Sequence, residues 1–170
     1  MEFEKLIVAR YSVRSYRSDP IPDQVLSKVL EAGCLAPTAA NRQAFCILVI
    51  HTAGRAEQLK RIYPRDWFVQ APVVIAVCAL TDLCWVRADG KSYCDVDAAI
   101  VMDHLILAAA DQGLGSCWIG AFDAWAAREV LGLPKSVEPI AFTPLGYAAD
   151  SSGEKKRRPK DDLVRFEKWS

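Results

Sequence analysis

Histidine is almost missing from this chain: His51 and His104 are the only two in 170 residues. The six cysteines, at 34, 46, 78, 84, 94 and 117, never form a Cys-x-x-Cys. Asp95, Asp97 and Asp103 lack further ligands in sequence and read as a polar helix edge, so no metal centre is expected. No Ser/His/Asp or Cys/His set stands out for nucleophilic catalysis. A charge bias is absent too, with 21 basic against 21 acidic side chains, which argues against nucleic acid or an anionic membrane as partner. The longest apolar runs are interrupted by Asp103 and His104 or end within about ten residues, too short to span a bilayer. Met1-Glu2-Phe3-Glu4 lacks the basic flank and apolar stretch of a secretory signal. These absences imply a cytoplasmic protein with reduced thiols. Four of those thiols (Cys34, Cys46, Cys78, Cys117) lie in apolar sequence, where cysteine acts as a small hydrophobe.

Phosphate-binding backbone loops are missing as well. No Gly-x-x-x-x-Gly-Lys-Ser/Thr occurs, and Gly113-Leu114-Gly115 follows a predicted helix and opens a strand, the reverse of a dinucleotide-binding loop. Any phosphate must therefore be held by side chains. The chain offers two basic clusters for that. Arg10-Tyr11-Ser12-Val13-Arg14 places two guanidinium groups and two hydroxyls where the apolar pattern of residues 2–9 stops. Guanidinium forks suit phosphate, although cations at a helix C-terminus also simply complement the macrodipole. The second cluster is Lys155-Lys156-Arg157-Arg158-Pro159-Lys160. Residues 1–150 carry 14 basic and 17 acidic groups, whereas 151–170 carry 7 and 4.

Between these clusters the periodicity predicts one mixed domain. Val25, Leu26, Val29 and Leu30 mark a helix begun by Pro22-Asp23 and ending near Gly33. The loop Ala36–Gln43 leads into an apolar strand, Phe45–Ile50. A helix over 54–63 stops at Pro64, and Pro72–Leu80 reads as a second strand. Residues 95–112 form the longest helix, apolar over most of its circumference and ended by Gly113. One chain of this size can hardly surround such a helix, so a subunit interface is expected there. His104 on that helix reads as a satisfied core or interface residue. Ser116–Ile119 is a short strand and Asp123 caps a helix running to Gly132. Ile140–Leu145 is a last strand, which Pro139 and Pro144 place near an edge. The tail ends in Val164, Phe166 and Trp169, apolar groups that need a surface to cover them.

Four segments in this order resemble the nitroreductase family of flavoproteins along nearly the whole chain. Arg10-Tyr-Ser-Val-Arg14 resembles its N-terminal Arg-x-Ser-x-Arg motif, and Ala36-Pro37-Thr38-Ala39-Ala40-Asn41-Arg42-Gln43 its Pro-Ser-x-x-Asn-x-Gln loop. Gly113-Leu-Gly-Ser-Cys-Trp-Ile-Gly120 is similar to its Gly-Leu-Gly-x-x-x-x-Gly segment, and Gly146-Tyr147 with Lys155-x-Arg157 to its C-terminal phosphate clamp. The resemblance implies an α+β fold, a mostly antiparallel sheet flanked by helices, in a homodimer whose C-terminal tail crosses to the partner. Residues 1–150 would be the FMN-binding core and 151–170 the tail carrying the clamp.

By the same resemblance, Arg10, Ser12 and Arg157, with Lys155 beside them, would hold the FMN phosphate. Tyr11 lies within the motif, and Arg14 would face the flavin pyrimidine edge, stabilising negative charge that develops on reduction. Pro37, Thr38, Ala39, Ala40, Asn41 and Gln43 would come from the other subunit, and the Ile119–Gly120 backbone would face flavin N5. The implied activity is transfer of electrons from NADH or NADPH, through the flavin, to a small electron-poor acceptor in a ping-pong cycle, with no catalytic side chain. Reductive dehalogenation, flavin cleavage and flavin binding without turnover are the alternatives. Thr38 replaces the family's serine, Ala44-Phe45 its Pro-aromatic pair, and the chain is too short for the inserted helices that roof the pocket of larger members.

Overall fold

The computed structural model describes residues 1–169. Four strands form a wholly antiparallel sheet in the order β1 (Phe45–His51), β2 (Val73–Leu80), β4 (Val137–Gly146), β3 (Gly115–Ser116). Strand β2 is buried along nearly its whole length, because both faces of the sheet are covered. Val73, Ile75 and Val77 point towards α2 (Asp23–Cys34) and α5 (Cys94–Asp111), with Val29, Val101, Met102 and Leu105. Val74, Ala76 and Cys78 point the other way, towards α3 (Ala56–Ile62), α4 (Asp66–Gln70) and α6 (Ala124–Leu131), with Leu59, Ile62, Phe68 and Phe142. The two-residue side-chain period thus feeds two cores from one apolar run. The remaining helices, α1 (Phe3–Ala9) and α7 (Lys160–Leu163), lie near the two chain ends.

The helix expected over 95–112 is α5, Cys94–Asp111. Its C-terminus closes as a Schellman motif: Leu114 N–H donates to Ala109 O at 2.8 Å and Gly113 N–H to Ala110 O at 3.1 Å. Gly113 takes φ +75°, a left-handed value that glycine adopts without penalty. Asp123 caps α6 as expected, its Oδ1 accepting from Ala126 N–H at 2.9 Å.

Several expectations need correction. Strand β4 lies inside the sheet, hydrogen-bonded on both sides. A register shift opposite Val77 and Cys78 skips Ile140 and accommodates Pro139. Phe142 N–H donates to Ile119 O on the β3 side, so the missing N–H of Pro144, two residues on, also falls on that side. There the Thr143 hydroxyl accepts from Cys117 N–H at 3.0 Å in place of a backbone group. Asp97 is no polar edge: it is 1% exposed. The thiols are not all reduced either. Cys84 and Cys94 form a disulfide with Cα atoms 5.4 Å apart, an ordinary separation for the bond. A small hairpin brings them together, closed by a Val86–Ser92 bridge and the Tyr93 N–H to Trp85 O bond at 3.0 Å. Of the four free thiols only Cys78 and Cys117 are buried, whereas Cys34 is exposed at the end of α2.

Phe142 is fully buried where β4 meets α4 and α6, edge-on to Phe68 and to Phe122 at ring-centre distances of 6.4 and 4.7 Å. Phe142→Ala should therefore lower unfolding stability by roughly 3–5 kcal/mol, the usual cost of an aromatic cavity. Urea denaturation with an unchanged slope is the measurement.

Candidate functional site

The Arg10–Arg14 segment leaves the C-terminus of α1 in extended form and lies beside β3. Ser12 bridges Ser116 in parallel, and Val13 N–H donates to Ser116 O at 3.0 Å. This approach needs a glycine, since a Cβ on Gly115 would stand 2.7 Å from the Val13 side chain. Val13 and Tyr16 are buried along this segment, whereas Arg14 between them is exposed. The Gly-Leu-Gly segment is thus a docking strip for the arginine segment.

The tail returns to the same place. Arg17 N–H donates to Tyr147 O at 2.9 Å and Ala149 N–H to Ser15 O at 2.8 Å. Asp150 completes the junction: its Oδ2 accepts from Arg14 N–H at 2.8 Å, and its Oδ1 and carbonyl accept from the Tyr11 hydroxyl at 3.1 and 2.9 Å. Partial burial first, then the bond to Asp150 and its charge, raise the Tyr11 pKa and keep the hydroxyl a donor. Asp150 was missed in the sequence because an acid among basic residues looks like a solvated charge. Its partners are 136 and 139 residues away and only the fold supplies them.

Between these two segments lies a cleft of about 530 Å³. Arg10, Tyr11, Ser12 and Arg14 line it from one side, and Lys155 and Arg157 from the other. Lys155 Nζ donates to Ile7 O at 2.6 Å, which anchors the tail to the C-terminal turn of α1. Its ammonium is held below the usual lysine range, first by desolvation and then by the nearby charges of Arg10 and Arg157. Arg10 and Arg157 thus lie close enough to disfavour the Lys155 charge, and an anion entering the cleft relieves that repulsion.

The other expected site residues do not line this cleft. Thr38–Gln43 form a separate loop around a one-turn 3₁₀ helix, Ala39–Asn41. Ala40, Asn41 and Gln43 all have φ near +50°, a left-handed conformation that costs a non-glycine residue on the order of 1 kcal/mol or more. Two side-chain acceptors hold the loop: the Thr38 hydroxyl closes it on itself, accepting from Gln43 N–H at 3.0 Å, and Asp97 Oδ1 ties it to α5, accepting from Ala39 N–H at 2.9 Å. A threonine therefore performs the bond that a serine would. The amide groups of Asn41 and Gln43 stand at the exposed rim.

Ile119 is buried and exchanges two backbone bonds with Phe142, at 2.8 and 3.0 Å. Its N–H is spent there. Gly120, next along, is exposed with open space where a side chain would stand. His104 keeps its bond within α5, Nδ1 lying 2.9 Å from Ile100 O.

Residues 7–67 and 56–147 match the Nitroreductase family, and the chain belongs to that family. The fold superposes with a TM-score of 0.92 on the crystal structure of a nitroreductase family protein from Clostridium difficile 630. The two are 34% identical over 99% of this chain and all of that one. Among curated relatives, an FMN reductase (NAD(P)H) from Bacillus subtilis is 29% identical over 94% of this chain and 71% of its own length. An NADH dehydrogenase from Thermus thermophilus is 27% identical over 91% of each.

Asp150 is exposed, so its bonds compete with water, but it ties two distant segments. Asp150→Ala should cost about 1 kcal/mol and accelerate amide exchange at Arg14 and at the residues after Ala148, while leaving β2 protected. Residue-resolved hydrogen exchange is the check.

Proposed function

We propose that this nitroreductase-family chain is an FMN-dependent oxidoreductase that passes electrons from NADH or NADPH to a small electron-poor acceptor, such as a nitroaromatic or quinone. The observation that carries the reading is the convergence of Arg10, Lys155 and Arg157 on one cleft beside the Ser12 hydroxyl. The cleft fits a phosphate monoester: permanent cations for its charge, a hydroxyl for an oxygen, and no backbone loop of the kind nucleotide-binding folds use. Relatives named FMN reductase and NADH dehydrogenase support the same cofactor pair. FMN, held there by its phosphate, would supply the chemistry of hydride and electron transfer, which no side chain of this cleft provides.

The chain's own residues bind and orient. Arg10, Ser12 and Arg157 hold the phosphate, and Lys155 contributes charge while fixing the tail to α1. Arg14, its backbone anchored by Asp150, would set a guanidinium beside the flavin pyrimidine edge and stabilise negative charge there. The Gly120 backbone gives a flat approach without a side chain.

We further assign the site to a homodimer, because the Thr38–Gln43 loop does not reach the cation cleft of its own chain. Helix α5 leaves a stripe uncovered: Val96 is 37% exposed, and Ile100, His104, Leu107 and Ala108 are half-buried. Phe3, Leu6, His104, Leu107 and Ala108 line an apolar groove of about 560 Å³ beside it. Phe166 and Trp169 in the tail are 82% and 87% exposed and need a covering surface. A C₂ partner supplies all three.

Purification followed by anaerobic titration with NADH and with NADPH tests the reading. The expected result is a yellow protein whose flavin band bleaches; a colourless protein that takes up no FMN overturns it. Arg10→Ala and Arg157→Ala should each weaken FMN binding by one to two decades, since a charge-assisted contact is worth roughly 1.5–3 kcal/mol. Fluorescence titration measures this, and unchanged affinity in both variants would mean the clusters share no phosphate. Sedimentation should give a dimer, and removing residues 161–170 should weaken both dimerisation and flavin retention. A folded, flavin-loaded monomer would overturn the shared site.

A further inference from the structure

We propose that Asp97 is the positioning residue of the Thr38–Gln43 loop, setting the geometry with which that loop meets the flavin. The inference rests on the flavin reading above. Asp97 lies one turn inside α5, 1% exposed, and reaches across 58 residues of sequence to a single partner, the Ala39 N–H at 2.9 Å. Its second oxygen, Oδ2, is buried and accepts no hydrogen bond among the described residues.

A carboxyl kept in an apolar core with half of its acceptor capacity unspent is costly, and the position in the first turns of α5 offsets only part of that cost. Packing alone would favour an alanine or valine there, as at Ala98 and Val101 beside it. What the carboxyl adds is the bond to Ala39, at the entry of a segment that then places Ala40, Asn41 and Gln43 in left-handed backbone. A strained segment persists only where its surroundings over-determine it. Thr38 closes the turn on itself, so Asp97 is the tie between the turn and the body of the protein.

The anchor is itself well fixed. A Cβ on Gly33 would lie 2.7 Å from Leu105, so glycine permits α2, which leads into the loop, to pack tightly on α5. Three residues before Asp97, the Cys84–Cys94 disulfide staples the start of α5 to the hairpin that precedes it. Asp97 therefore transmits the position of a rigid helix end to the loop and, acting through Ala39, touches no reacting atom itself.

The test uses the full chain, with FMN titrated into flavin-free protein and amide exchange followed at Asn41 and Arg42. Asp97→Ala is expected to lose at least tenfold in FMN affinity and to speed exchange at both amides by a similar factor. Asp97→Asn keeps the acceptor for Ala39 and should restore both towards wild type, a rescue that general core damage would not show. Should Asp97→Ala fail to fold, Ala39→Pro removes the donor from the loop side and should give the same loss of affinity. Wild-type affinity and unchanged loop exchange in Asp97→Ala, or wild-type affinity in Ala39→Pro, overturns the proposal. If the wild-type chain itself takes up no FMN, the flavin reading fails. Loop exchange in the Asp97 variants then still decides whether the carboxyl holds the loop.

Discussion

Helix α5 must be surrounded, and most of the molecule follows from that requirement. Eighteen residues with apolar groups on nearly every side cannot rest on a surface. The sheet covers one side through β2 and β4, α2 a second, and α1 with β3 part of a third. The ends of the same helix position the candidate site. Its C-terminus closes through Gly113 so that Gly115 can receive the arginine segment, and its N-terminal turns carry Asp97 beneath the Thr38–Gln43 loop. The side left open is where the chain's surplus apolar surface collects. One largely apolar helix thus links the fold to the candidate site.

The cation cleft shows how a chain without net charge builds a strong local field. Arg10 and Arg157 are 147 positions apart in sequence, and neither cluster alone distinguishes a ligand site from a solvated basic patch. Their meeting depends on neutral contacts: the Val13–Ser116 and Ala149–Ser15 backbone bonds and the packing of Val13 on Gly115. Asp150 adds a negative charge at the rim, spent on a backbone N–H and a phenol rather than on a guanidinium. The carboxylate therefore does not neutralise the cations that line the cleft.

Much of this was legible from residues whose signal is local. The stripe of α2, the span of α5, the Asp123 cap and the apolar runs of β1 and β2 depend on period and end chemistry, and they stand within a residue or two of expectation. The two basic clusters were also visible as candidates. What failed depends on distant partners. Prolines in β4 pointed to an edge, because nothing in the sequence announces that a bulge and the Thr143 hydroxyl will replace the missing donors. Asp97 looked like surface because its one partner lies 58 residues back. The disulfide was invisible because ten-residue spacing has no meaning until a hairpin folds it together.

Strand β4 is both the last strand in sequence and a central member of the sheet, and this sets an order on synthesis. A chain emerging from the ribosome can pair β1 with β2 early, yet the other side of β2 finds its partner only after residue 146 has cleared the exit. Until then a fully apolar strand presents open hydrogen-bonding groups, the situation in which nascent chains stick to one another. The arginine segment waits longer still, since Ser116 is made before β4 but its other partners, Tyr147 and Ala149, follow it. The first residues made are among the last to be fixed. A pause in translation before residue 137 would therefore expose this protein to aggregation far more than the same pause after residue 150.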